Sequence, residues 1–581
     1  MTPAFTDSHT VFRQRLTASA AIAALLVGVL MLAGCDRPDK LAKQEHKPDD
    51  GPAATEQLRD RDATTTAPLA DGRAEGYAPM PPPAPFPQPA PEVRDRYENV
   101  KINPVKLVKD EPVSTFSADV DTASYSVVRK YLTDGSLPPR DAVRLEEMIN
   151  YFDYHYPLPD NRTQPFRPTV EVYPTPWNPG TEILHIGIKG FDLPKNERPA
   201  ANLVFLLDVS GSMDEPNKLP LVKKAMHLLV NELGEKDRVS IVVYAGAAGT
   251  VLEPTSGADK GKINAAIDNL TPGGSTAGAE GIRQAYQLAE SSMTKGGVNR
   301  VILATDGDFN VGITDPHQLE NFVAHERETG VTLTCLGFGM GNYNDALMQK
   351  LAQKGNGNAA YIDTLNEARK VLVDEIGGTL FMIAKDVKFQ IEFNPMRVSE
   401  YRLIGYETRL LNREDFNNDH VDAGDIGAGH TVTALYEVVP TGSNAHLIDP
   451  LRYGQALTPP PAGGSNSGEI AFLRMRYKLP NEDQSHLIER PIGDADKLDD
   501  IRRAPDDLRF AAAVAGFGQL MRGDPYLKNF GYREVIDLAN GARGQDPYGY
   551  RTEFVQLART AQSLPALPPL NPPGGGEGGP P

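Results

Sequence analysis

The sequence predicts an α/β protein in which a doubly wound, mostly parallel sheet is inserted into a flanking β-sandwich, with additional helical segments. Two observations carry this prediction. Between about Asn202 and Glu375, continuous apolar runs alternate with amphipathic stretches, as expected of strands buried on both faces beneath crossover helices. On both sides of that stretch, apolar and polar residues alternate one by one, as in half-buried antiparallel strands. Strands before and after a self-contained α/β unit imply one sandwich built from both flanks, with the ends of the insertion close together. At 581 residues the chain is also too long for a single hydrophobic core.

From the N-terminus, Arg13 and Arg15 precede an uncharged run from Ala18 to Leu32. That run is shorter than the ~20 apolar residues of a permanent span and has the length of a signal-peptide core. It ends in Leu32-Ala33-Gly34-Cys35, which resembles the lipobox of bacterial lipoproteins. The resemblance implies removal of residues 1–34 as a signal peptide and attachment of lipid at Cys35, which would anchor the protein to a membrane of the bacterial cell envelope. Asp36 directly after the cysteine resembles the enterobacterial signal for retention in the inner membrane, so a periplasm-facing position there is expected. Residues 35–94 are polar and then proline-rich, as in Met80-Pro81-Pro82-Pro83-Ala84-Pro85, and predict a disordered tether. The Pro/Gly tail at 563–581 has the same character.

Residues 95–165 predict a helical module, with Tyr125, Val128 and Leu132 on one helical face and Leu145, Met148, Ile149 and Phe152 on another. Asp119 and Asp121 suggest a turn in which Asp121 or Thr122 caps the next helix. A calcium site is the lesser alternative there, because a hard cation needs more oxygen ligands than two carboxylates. Residues 166–200 supply strands of the sandwich, as in Val170-Glu171-Val172 and Leu184–Ile188. The central domain spans 201–380. Its strands are the runs Leu203–Leu207, Val239–Tyr244, Val301–Ala304 and Val331–Leu336; its helices show Leu221, Ala225, Leu228 and Leu229, then Ile282, Ala285, Tyr286 and Ala289. With Cys35 lipidated, Cys335, one of two cysteines, is expected as a buried core residue. The sandwich resumes over 381–500, in Val387–Phe393, Thr431–Tyr436 and Phe472–Tyr477. A helical segment at 501–562, with Phe510, Val514 and Phe517 on one face, completes the folded part.

A formal net charge of −18 argues against nucleic acid as a partner, since phosphate binding needs a basic face. In parallel sheets, sites form at the carboxyl ends of the strands. There the first central strand runs into Asp208-Val209-Ser210-Gly211-Ser212-Met213, which presents one carboxylate and two hydroxyls from a tight loop. Hard divalent cations take such oxygen ligands. Two further loops strengthen the signal: Thr271-Pro272-Gly273-Gly274-Ser275-Thr276 before a helix, and Thr305-Asp306-Gly307 after a strand.

With these three loops the domain resembles the von Willebrand factor A (VWA) domain and its metal-ion-dependent adhesion site. The resemblance implies a Rossmann-like fold and assigns the metal ligands as Asp208, Ser210, Ser212, Thr276 and Asp306. It implies a divalent cation, Mg²⁺ first with Mn²⁺ and Ca²⁺ as alternatives, and a protein partner whose exposed carboxylate completes the coordination. From about Asn99 to Gln562 the chain is similar to bacterial VWA lipoproteins, the segments Phe116–Tyr125 and Glu147–Phe152 resembling that family's N-terminal module. No catalytic residues are expected, because no general base, nucleophile or second metal cluster accompanies the loops. The reading is a membrane-anchored binding protein. A structural scaffold of an envelope complex, with metal only stabilising loops, is its first alternative, and a metal-assisted hydrolase its second. Asp415-Phe416-Asn417-Asn418-Asp419 begins like a calcium loop but has His420 where glycine is needed and Ile426 where glutamate is needed.

Overall fold

Every residue of the strand Ala201–Asp208 is buried, which requires a neighbour on each edge and a layer on each face. A computed structural model supplies both; it describes residues 95–99, 101–274, 278–307, 316–339, 343–449 and 468–565. The apolar leader, Cys35, Asp36, the tether, Thr276 and the tail from 566 lie outside the described residues.

The central sheet runs in the order Ala359–Ile362, Thr332–Phe338, Val298–Thr305, Ala201–Asp208, Arg238–Tyr244, Ala248–Ser256. Its first five strands are parallel, and the last turns back antiparallel to its neighbour. Side-chain alternation along Ala201–Asp208 divides the core. Leu203, Phe205 and Leu207 pack with Val222, Ala225, Met226 and Leu229 of the helix Leu219–Glu232. Val204 and Leu206 pack with Ile282, Ala285 and Tyr286 of the helix Gly278–Ser291. Cys335 is a free, fully buried thiol within this second core.

The flanking strands form two antiparallel sheets. One has the order Lys106–Leu107, Val398–Ile404, Thr431–Pro440, Glu182–Gly190, Phe166–Pro174. The other has Gly424–Gly427, Met382–Phe393, Glu469–Lys478, His486–Gly493, with Val113–Ser117 also pairing Met382–Phe393. Phe116, Phe389 and Phe393 of the second sheet meet Tyr401 and Tyr436 of the first and Tyr406 just beyond it, with Phe116 and Phe389 stacked at 5.1 Å and Phe393 and Tyr401 at 4.2 Å. Each such pair contributes about 0.5–1.5 kcal/mol beyond its area burial. The chain enters and leaves the central domain at adjacent points. A Cβ on Gly190 would meet Ile383, and the Arg198 guanidinium lies 5.5 Å from the Phe381 ring centroid.

The outer face of the first sheet is covered by helices Ala123–Thr133, Leu145–Asn150, Asp506–Arg522, Tyr532–Asn540 and Tyr550–Ser563. Tyr173, Ile183 and Leu435 from the sheet join Tyr125, Met148, Phe510, Val514, Phe517 and Phe554 in one core. The segment read as helical at 95–165 therefore also holds two strands, Lys106–Leu107 and Val113–Ser117, one for each sheet. Phe152 is buried but lies beyond the end of its helix. The C-terminal segment is three helices, the first interrupted at Gly523-Asp524-Pro525.

Buried arginines tie these parts together. Arg129 reaches Asp363 and, at 2.7 Å, Glu367 at the end of the central domain, and Glu553 of the last helix at 3.0 Å. Arg144 pairs with Glu147 and, at 2.8 Å, with Asp345. Breaking a buried pair from one side typically costs about 3–5 kcal/mol, so these contacts hold the central domain in one place on its flanks.

Candidate metal centre

Asp208 is the last residue of its strand, and the loops around it are joined by backbone hydrogen bonds. Val209 N–H still donates to the Tyr244 carbonyl at 3.1 Å, while Ser210 N–H turns back to Asp208 Oδ1 at 2.9 Å. Asp side chains favour such turns because they satisfy a nearby backbone donor. One 3₁₀ turn, Gly211–Asp214, follows, anchored by the fully buried Met213. It leaves Ser210 Oγ and Ser212 Oγ 3.0 Å apart.

The second loop lies directly against the first. Gly273 N–H donates to the Val209 carbonyl at 2.7 Å, and Gly211 N–H to the Gly274 carbonyl at 3.1 Å. Gly274 has φ +86°, and a Cβ there would sit 2.8 Å from Gly246 N in the hairpin turn behind it, so only glycine fits. Thr276, two residues on, is outside the described residues. The third loop brings Thr305 Oγ1, which donates to Asp208 Oδ2 at 3.3 Å, and then Asp306.

The structure thus brings Asp208, Ser210, Ser212 and Asp306 to one place. Asp208 is 1%, Ser210 3% and Asp306 2% exposed, while Ser212 sits open at the rim. Burial pushes the Asp208 carboxyl above the usual carboxylate range, and the charge of Asp306 adds to the shift. Hydrogen bonds from Ser210 and from Tyr244 oppose it. Two buried carboxylates held together beside aligned hydroxyls are unfavourable alone and fit a divalent cation, whose charge and preference for hard oxygen match this donor set.

Three side chains escaped the sequence reading. Tyr244 and Thr305 end strands on either side of Asp208 and brace it; Tyr244 reads as an ordinary strand residue, and Thr305 reads as part of the third loop without a role of its own. Lys218 is 4% exposed and donates from Nζ to the Ser212 carbonyl at 3.0 Å, Glu215 Oε1 at 3.2 Å and Asp306 Oδ2 at 3.3 Å. Its only signal is a lysine placed just before an apolar helix.

Asp119 and Asp121 take a different role from either reading. Both pair with Arg409, at 2.9 and 3.2 Å, and Asp121 also accepts from Ala359 N–H at 2.8 Å. Neither Asp121 nor Thr122 caps the next helix: Thr122 makes no side-chain cap bond, and Glu147 accepts the Ser124 N–H at 2.8 Å. The acidic turn at 415–419 is likewise structural, with Asp419 paired to Arg476 at 3.1 Å.

Comparison with known families agrees with this layout. The profile of the von Willebrand factor type A domain matches residues 202–374. One described as von Willebrand factor matches 91–185, and one described as the C-terminal part of uncharacterized protein YfbK matches 378–564. Uncharacterized protein YfbK of Escherichia coli (strain K12) is 48% identical over 475 residues, covering 81% of this chain and 81% of its own. Human inter-alpha-trypsin inhibitor heavy chain H4 is 30% identical over 181 residues, 30% of this chain and 19% of its own. Among solved structures, a von Willebrand factor type A protein from Catenulispora acidiphila is similar at 15% identity and a TM-score of 0.38, covering 70% of this chain and 91% of that one. So loose a likeness adds nothing to the topology described above. On the 48% identity that spans most of both chains, with a type A domain profile over the central sheet, the chain belongs to the YfbK family of von Willebrand factor type A domain proteins.

Proposed function

We propose that this protein is a lipid-anchored component of the bacterial cell envelope that binds a divalent cation at Asp208, Ser210, Ser212, Thr276 and Asp306, and through it an acidic group on a protein partner. The observation that supports this reading is the juxtaposition of two buried carboxylates and paired hydroxyls beneath an exposed rim, at the carboxyl ends of parallel strands. Oxygen-only donors favour Mg²⁺, with Mn²⁺ and Ca²⁺ as alternatives. When bound, the ion supplies an electrophilic position that a carboxylate can occupy. The chain's own residues gather the ligands and bury their charge. The groups bonded to the described ligands are hydroxyls, backbone amides and Lys218, which suits binding rather than catalysis. Thr276 and the lipid at Cys35 rest on the sequence motifs, as does the inner-membrane position suggested by Asp36. Among the described residues no helix is long and apolar enough to cross a membrane.

A melting series with and without Mg²⁺ or Mn²⁺, paired with calorimetric titration, tests the site. Stabilisation should rise with metal concentration, reaching about 2.7 kcal/mol at a hundred times Kd. Equal metal-induced shifts in the wild type and in an Asp208→Ala, Asp306→Ala double variant would remove these residues from the site. The anchor is tested separately: Cys35→Ala should abolish incorporation of labelled fatty acid and leave residues 1–34 attached, and a variant that is still labelled and cleaved like the wild type would sink that part of the reading.

A further inference from the structure

We propose that Lys218 is a positioning and specificity-determining residue of this centre, an internal cation that holds Asp306 ready for metal and makes the loaded site positive. The inference rests on the metal reading above. Its own observation is a lysine built into the site rather than draped over it. The side chain is 5% exposed, and among the described residues its three hydrogen bonds go to Ser212, to Asp306 and to Glu215 just after the first loop. Its stem crosses Gly339, at the end of the strand Thr332–Phe338. A Cβ on that glycine would come within 2.5 Å of Lys218 Cε and 2.7 Å of Cγ, so the path exists because position 339 has no side chain.

The charge count shows why the lysine matters. Asp208 and Asp306 carry two negative charges, and the assigned hydroxyl ligands carry none. A divalent ion on these ligands alone would leave a centre of zero net charge, with a weaker electrostatic preference for a carboxylate over a neutral group. Lys218 adds one positive charge against Asp306. Glu215, its other acidic partner, is 62% exposed, so water screens much of that charge. The loaded centre is then net positive, at the cost of weaker metal binding, because the ammonium repels the incoming ion at close range. Without metal, the same ammonium offsets the repulsion between the two carboxylates and orients Asp306 through Oδ2.

The test compares the full-length protein in detergent with K218Q, which keeps a polar stem, K218M, which keeps only its length, and K218R, which restores the charge. Mg²⁺ and Mn²⁺ are titrated alone by calorimetry, and acetate is then titrated against the Mn²⁺-saturated proteins. K218Q and K218M should bind metal about tenfold tighter, as expected for removing a like charge a few ångströms away. They should also melt lower without metal and bind acetate about tenfold more weakly once loaded. K218R should return all three readouts toward the wild type. A lower melting point with metal and acetate affinities unchanged would make Lys218 merely structural and overturn the inference. Wild type and variants that all fail to bind metal would overturn the metal reading itself. Should the wild type fail where K218Q succeeds, the internal cation would be confirmed as the competitor.

Discussion

Two pairs of aspartates lie at opposite ends of the same argument about charge. Asp119 and Asp121 are two residues apart in the chain, face a guanidinium, and share it: Arg409 gives one nitrogen to each. Asp208 and Asp306 come from different strands and face a single ammonium that touches only one of them. Around the first pair the remaining donor to Asp121 is a backbone amide; around the second are serine and threonine hydroxyls and an open rim. A carboxylate pair answered by a buried arginine is a structural joint. A pair left short of positive charge, with neutral oxygens beside it, is a place for a cation.

Removing the answering charge should break the joint most severely. Arg409→Met leaves Asp119 without its cation and Asp121 without its guanidinium donor and should cost about 3–5 kcal/mol, read as a lower melting temperature that metal does not restore. Rescue of this variant by Mg²⁺ would mean that the first pair also takes metal and that the contrast is false. At the other pair, Asp208→Ala with Asp306→Ala should change the metal-free melting temperature by much less and erase the metal response, worth about 2.7 kcal/mol at a hundred times Kd. A metal-free loss as large as that of Arg409→Met would place the second pair among the joints.

The smallest effect is in pH dependence. Burial, then the charge of Asp119, pushes the Asp121 carboxyl up to about 8 despite Arg409. The folded protein therefore holds a proton that the unfolded chain releases near pH 4. Stability from this group is complete below about pH 4 and is lost as pH rises toward 8. Asp121→Asn should flatten that slope between pH 5 and 8. Chemical denaturation at both pH values checks it, and an unchanged slope would assign the titration elsewhere. His185 acts in the opposite direction. Burial drives its imidazole down to about 3, so stability it contributes above pH 6.5 is lost as pH falls toward 3; the two slopes oppose each other below about pH 6.5, and above it the Asp121 slope is free of His185.

The ligand loops were legible because each sits where a local pattern changes. An all-apolar run stops at Asp208, another at Thr305, and the residues beyond carry oxygen at short spacing. The strands of the central domain were legible for the same reason, since burial on both faces leaves continuous apolar runs. Lys106–Leu107 and Val113–Ser117 were not. Their assignment to sheets depends on partners at Tyr401 and Phe389, nearly three hundred residues away. The break of the C-terminal helical segment into three helices is marked locally by Gly523-Asp524-Pro525, where the first helix ends with Gly523 at φ +70°.

Read alone, the order of residues determined the class of the central domain and marked the candidate oxygen ligands and the lipobox-like motif, all of which lie within windows of a few residues. Tertiary structure decided what each charge faces. Asp121 looked like a helix cap and became half of an arginine joint, because Arg409 arrives from the other side of the inserted domain. Lys218, which no local pattern singled out, is the buried neighbour of Asp306, because Gly339 leaves room for its stem. Hydrophobic periodicity is a property of consecutive residues, whereas the energy of a charge depends on the distance to its partner and the water between them. Neither quantity exists until the chain has closed on itself.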